Sequence, residues 1–222
     1  MTPSRFVQTL AATSMPRVFN PWRDRCDVYD RKDAPFRRQR NLEQVLEAIL
    51  DSQSESIWIA RDLGYRGGRR TGIPLTDEVH LDRAGELLRT SSLKRATEGP
   101  IVAERTAAII WNVLQEVRRP VMLWNIFPFH PHEEGNPFSN RCHSRKEREA
   151  TWHILDSLIT MLRPKQIVAI GRDAQVALSE MGIESCAVRH PSYGGQSEFI
   201  AGVFSIYGIA QVIDQNSPKL PL

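Results

Sequence analysis

Three polar side chains stand at the ends of short apolar runs. Asp62 follows Ile57-Trp58-Ile59-Ala60, Asn125 closes Val121-Met122-Leu123-Trp124, and His190 follows Cys186-Ala187-Val188. In an α/β fold, a strand that breaks into a polar loop presents its last residues to a ligand. The stretch His190-Pro191-Ser192-Tyr193-Gly194-Gly195-Gln196 places a histidine on a glycine-rich loop ahead of a helical pattern. Each residue also has a plainer reading. Asp62 suits a turn or a cap, Asn125 a buried amide serving loop backbone, and His190 a surface turn before proline. The motifs GxGxxG, GxxxxGKS/T and GxSxG are absent, which removes dinucleotide binding, a P-loop and a nucleophile elbow. Any chemistry falls to the three strand-end side chains and the backbone of their loops.

Metal and cofactor chemistry find little support. The three cysteines, Cys26, Cys142 and Cys186, form no CxxC pair and no disulfide framework. His130, His132 and His143 have metal-like spacing, but no cysteine or carboxylate pattern joins them. No metal and no cofactor is expected.

The elements that must position these residues follow from periodicity. The runs at 57–60, 121–126 and 166–170 and the one ending at His190 are short and continuously apolar, as strands buried on both faces are. Helical spacing connects them, over about 42–50 with Asn41 as cap, 79–88 after Thr76, 101–117, 144–162, 173–181 and 199–213. Alternating strands and helices predict a three-layer αβα sandwich around a four-stranded parallel sheet. Residues 1–222 are expected to form one domain. Residues 1–37, rich in Arg, Asp and Pro, read as an irregular N-terminal arm pinned by Phe6, Phe19, Trp22 and Tyr29. The glycine-rich loop from Arg61 to Thr76 is too long for a tight connection, and long ordered loops are usually functional.

Of the 222 residues, 41% are hydrophobic and 25% charged, which is ordinary for a globular protein. No apolar run approaches a membrane span and no signal-peptide core is present, so the expected location is the cytoplasm, with access to a bacterial nucleoid. Net charge is +3. The arginines cluster at 37–40, 66–70, 118–119 and 141–148, a distribution that suits a polyanion and equally suits solvated faces.

Taken together, the Asp62 loop with Gly72-Ile73-Pro74-Leu75-Thr76, the strand ending in Asn125, then Asn140-Arg141, Ala169-Ile170-Gly171 and His190-Pro191-Ser192 resemble the uracil-DNA glycosylase superfamily. The resemblance runs from about Ile57 to Phe199. The loop at 64–74 looks like that of bacterial proteins near the fourth and fifth families, without the four cysteines that hold their iron–sulfur cluster. It implies that Asp62 orients water and stabilises a sugar cation, and that His190 bonds uracil O2. It implies that Asn125 reads the uracil edge, an amide being both donor and acceptor. Gly64 stands where one branch carries a thymine-blocking tyrosine, with Tyr65 next to it, and Leu75 where relatives stack an aromatic ring on the base.

The activity so implied is hydrolysis of the N-glycosidic bond of uracil in DNA, leaving an abasic site. The base must first leave the stack. Ser192 and the arginines Arg66, Arg69 and Arg70 are the expected phosphate contacts, and Tyr193 or Gln196 the group that fills the gap in the duplex. The expected partner is uracil-containing DNA, bound by a monomer. Two alternatives stay open: a homologue that binds damaged or abasic DNA without catalysis, and an enzyme acting on free nucleosides.

Overall fold

The computed structural model describes residues 1–90, 93–192 and 194–210. Its elements in chain order are α1 (Pro3–Ala12), β1 (Val18–Phe19), α2 (Ala34–Asp51), β2 (Ser56–Asp62), α3 (Gly68–Thr71), α4 (Leu81–Leu88) and α5 (Arg105–Val117). Then follow β3 (Met122–Phe127), β4 (His130–Pro131), α6 (Arg145–Leu162), β5 (Gln166–Ile170), α7 (Arg172–Glu180), β6 (Cys186–Val188) and α8 (Gln196–Tyr207).

Four strands form a parallel sheet in the order β3-β2-β5-β6 with helices packed on it, as the apolar runs predicted. Ile59 pairs with Trp124, so these two side chains share a face. Trp124 there meets Phe6 of α1 and stacks on Trp22. On the opposite face Trp58 meets Phe199 and Tyr207 of α8 edge-on. All three tryptophans are fully buried.

The N-terminal segment is not the irregular arm expected. Thr2 caps α1, whose Phe6, Val7 and Leu10 face the core. β1 pairs antiparallel with β4 in a second, two-stranded sheet. α2 begins at Ala34, with a proline in its first turn. Asn41 is therefore no cap. It lies inside α2, buried, and its Nδ2 donates to the carbonyls of Thr71 and Lys94. Thr76 is not the cap of the following helical turn either; Asp77 accepts from the His80 N–H there. α5 starts at Arg105, because Glu104 is still extended. Ser144 caps α6 in a reciprocal capping box with Glu147. α8 stops at Gly208 in the left-handed region, and positions 211–213 of the helix expected there lie outside the described residues, as does the tail from 216.

Candidate active site

β2, β5 and β6 end at one rim of the sheet, where a cleft of about 540 Å³ opens. Asp62, Leu63, Gly64 and Gly68 form one wall, with Leu75 beside them. Gly171 follows β5, and Arg189, His190 and Ser192 follow β6. The position is where parallel sheets of this class bind ligands, beyond the carboxyl ends of the strands. The size suits a small organic group.

Asp62 is the last residue of β2, and both its carboxylate oxygens are held. Arg61 Nε donates to Oδ2 at 2.6 Å, and the same guanidinium reaches Asp173 Oδ2 at 2.8 Å. The other oxygen meets Nδ1 of His143, a buried ring 5.4 Å from that of Phe127. A carboxylate has about four lone-pair positions, so two donors leave room for a water or a ligand. His143 had drawn notice for metal-like spacing alone. Its contact joins residues 81 positions apart, and spacing does not carry that information.

His190 stands opposite in the chain and lines the same cleft. The backbone N–H of Ser192 donates to Nδ1 at 3.2 Å, and the Ser192 hydroxyl lies 2.7 Å from the same nitrogen. An accepting Nδ1 places the proton of the neutral ring on Nε2. Burial, and then the positive charges of Arg61 and Arg189, push the imidazole below its ordinary range. The ring is a neutral N–H donor at neutral pH. Gly171 is required beneath it. Its φ is +88°, and a Cβ there would lie 3.0 Å from that of His190.

Asn125 is not at the wall of the cleft. It is fully buried, its Nδ2 donates to the Asp62 carbonyl at 3.1 Å, and its Oδ1 is buried without a partner. Asn125 ties β3 to the Asp62 loop through Nδ2, which leaves Oδ1 without a partner among the described residues. The amide that lines the cleft is Asn140. Its Oδ1 accepts from the Tyr65 N–H at 3.1 Å and from His130 Nε2 at 3.2 Å. Tyr65 turns its ring toward His130 and Phe138 rather than into the cleft. Gly64 and Leu75 both line it. Leu75 is buried with φ +56°, a conformation that side chains pay for and that this loop imposes.

Arg69 and Arg70 depart furthest from expectation, because they point inward. Arg69 stacks over Phe19 at 3.9 Å and binds His130 Nδ1 and the Pro137 carbonyl. Arg70 stacks over Tyr29 at 4.1 Å and pairs with buried Glu78 at 3.1 Å. Both are buried and staple the glycine-rich loop to the N-terminal segment, which leaves them no access to phosphate. Arg66 is exposed, as is Gln196 in the first turn of α8. Arg172 and Arg189, both exposed at the cleft rim, were missed. Tyr193 lies outside the described residues.

Among the described residues no group of three or more His, Cys, Asp or Glu side chains is placed to hold a metal ion. No helix among them is long and apolar enough to cross a membrane.

No family model and no curated protein matches the sequence. The structure does match a solved one, the wild-type SMUG2 from Pedobacter heparinus. The TM-score is 0.63, over 94% of this chain and 97% of that one, at 15% sequence identity. The two chains share one fold, a four-stranded parallel sheet flanked by helices. At this identity the likeness concerns the path of the chain. What the cleft does must be argued from its own side chains.

Proposed function

We propose that this chain is a DNA glycosylase that hydrolyses the N-glycosidic bond of 2′-deoxyuridine and leaves an abasic site. The observation that carries the reading is the pairing, in one cleft, of a carboxylate with both oxygens anchored and a neutral imidazole whose Nε2–H has no partner among the described residues. Breaking the bond builds positive charge on the sugar and negative charge on the departing base. A fixed carboxylate stabilises the first and a fixed N–H donor the second, and both are set before the reaction begins. Asp62 also offers its remaining lone pairs to the attacking water.

The base reaches the cleft only by leaving the stack, at a cost of a few kcal/mol. Arg172 and Arg189, exposed at the rim, and exposed Arg66 of the glycine-rich loop hold the flanking phosphates, and Ser192 both fixes the His190 tautomer and borders the cleft. Gln196, exposed in the first turn of α8, remains a candidate for filling the vacated stack. Asn140 can donate to a base carbonyl through Nδ2, since its Oδ1 is already engaged.

The test is incubation with a uracil-containing oligonucleotide, single- and double-stranded, with EDTA present and abasic sites as the readout. Strand cleavage at uracil after alkali treatment is expected. Uracil-dependent binding without release at high protein concentration would favour a DNA-binding homologue. Release from free deoxyuridine alone would favour a nucleoside enzyme.

A further inference from the structure

The apolar tip of the loop ahead of α5 has no part in the chemistry above. Helical spacing carried that helix back to Ile101, but it begins at Arg105 and residues 101–104 form no helix. Ile101 is 57% exposed and Val28 76%. Pro100 is exposed as well. The two segments are neighbours. Asp30 and Thr97 form an antiparallel bridge, and the Glu98 N–H donates to the Tyr29 carbonyl at 2.7 Å. That register sets Val28 opposite Gly99, whose φ of +75° turns the chain toward Pro100 and Ile101.

Single apolar side chains on a surface need no explanation. This tip differs because it is braced. Arg95 Nη2 donates to the Gly99 carbonyl at 3.0 Å and to Thr97 Oγ1 at 3.2 Å, while its Nε pairs with Glu78 at 3.4 Å. Past the tip, the Val102 N–H donates to Glu78 Oε2 at 2.9 Å and the Glu104 N–H to Asp77 Oδ2 at 2.6 Å. Asp77, Glu78 and Thr97 are buried. On the Val28 side, buried Asp30 pairs with buried Arg38. Buried ion pairs must offset their desolvation by good geometry. Here they fix a loop whose apolar end stands in water.

The tip also lies close to the cleft. Glu104, three residues past Ile101, lines it, as does Thr106. Three residues of chain span at most about 10 Å. A nucleotide that enters the cleft leaves the duplex beside this wall, and the step it vacates must be kept open. Isoleucine and proline are among the side chains that enter between base steps. A side chain carried on a fixed loop loses little freedom on entering, and the apolar area it hides from water favours the opened step. We propose that Ile101 is a wedge, which enters the duplex beside the target nucleotide and holds the stack open while the base occupies the cleft. Pro100 and Val28 flank it. Ile101 touches no reacting atom; it acts on the opening of the stack. This assignment rests on the glycosylase reading of the cleft.

The experiment measures single-turnover uracil release from three oligonucleotides: uracil opposite adenine, uracil opposite guanine, and uracil in a single strand. Opening costs most in the first, less in the mismatch and least in the single strand. Ile101→Ala should slow release about tenfold opposite adenine, less opposite guanine, and not at all from the single strand, with an unchanged melting temperature. A second readout uses a duplex in which 2′-fluoro-2′-deoxyuridine, whose base stays attached, lies beside 2-aminopurine, a base that fluoresces when unstacked. The intact protein should raise the fluorescence and Ile101→Ala should not. Equal losses on all three substrates overturn the wedge and point to loop geometry. No loss on any of them overturns it and leaves the tip to a partner other than DNA. An absent fluorescence rise with the intact protein, or one that Ile101→Ala keeps in full, also overturns it, as does release by the intact protein from the single strand alone. If the intact protein releases uracil from none of the three, the glycosylase reading itself fails, and the wedge with it.

Discussion

His143 Nδ1 meets Asp62 Oδ1, so the loop ahead of α6 fixes the carboxylate at the end of β2. Arg61 holds the other oxygen. The carboxylate therefore keeps one orientation without a ligand, which is what electrostatic stabilisation of a developing cation needs. Removing His143 frees one oxygen and leaves the charge in place. His143→Ala should slow single-turnover uracil release by about a hundredfold, the scale of a misplaced catalytic group. Affinity for uncleavable uracil DNA should hold. His143→Asn, which keeps an N–H near the Nδ1 position, should recover part of the rate. Equal losses in Ala and Asn variants would mean that ring packing on Phe127, not the contact with Asp62, is what matters.

The His190 ring works as a neutral donor, and its surroundings favour that form. Its removal in His190→Ala should cost about 10² to 10³ in rate, as loss of one preorganised donor does. The depressed affinity for protons has a kinetic signature. Release should persist as pH falls below about 6.5, where an ordinary histidine protonates, and fail only at lower pH. Arg189 contributes to the depression from the exposed rim. Arg189→Ala should move the acid limb of the rate profile upward; an unmoved limb would detach it from His190.

The sheet was legible because its strands are short and wholly apolar. Ile57–Ala60 and Val121–Trp124 admit no other buried element of that length, and Asp62 and His190 fall at strand ends that the apolar runs mark. The direction of a side chain is another matter. Arg66, Arg69 and Arg70 read alike in sequence, yet only the first faces solvent. Whether a guanidinium turns inward depends on the rings of Phe19 and Tyr29, about 40 or more residues away in the chain. Asn125 was expected to face a base, yet its Nδ2 serves the Asp62 carbonyl, while Asn140, given no role by the sequence, lines the cleft. The α1 helix was hidden by its surroundings, since Phe6, Val7 and Leu10 carry the helical spacing but sit in a stretch rich in Arg, Asp and Pro.

The inward arginines predict stability rather than affinity. Glu78 is buried and balances Arg70 and Arg95, and its oxygens also meet Thr97 and the Val102 N–H. Glu78→Ala leaves two cations without their counter-charge. The expected loss is about 3–5 kcal/mol in unfolding free energy, read by urea denaturation. At temperatures where the variant is folded, its DNA affinity should match that of the intact protein.

Arg66 gives the complementary outcome. It is exposed, and it stacks on no ring among the described residues. Arg66→Ala should weaken DNA binding of all sequences and lower the slope of log affinity against log salt by about 1. Arg69→Ala should leave that slope alone and lower the melting temperature. A reversed result would place the phosphate track on the other face of the loop.

His130 sets the acid limit of the fold. It is fully buried, accepts from Arg69 through Nδ1, and donates through Nε2 to the Ser139 carbonyl. Burial, and then the Arg69 charge, push it down to about 3. The unfolded chain takes up this proton at about 6.5, and the folded chain resists it until about 3. Between those values the unfolded state binds more protons, so stability falls as pH falls, by roughly 1.4 kcal/mol for each pH unit. Above about 6.5 the group contributes no slope. Because its ring also holds Asn140 at the cleft wall, acid should disturb the site and the fold together. His130→Gln, which has no proton to gain, should be less stable at pH 7 and should lose this part of the acid slope. Denaturant titrations at pH 4, 5, 6 and 7 measure it; parallel lines for the two proteins would show that the acid sensitivity lies in the carboxylates instead.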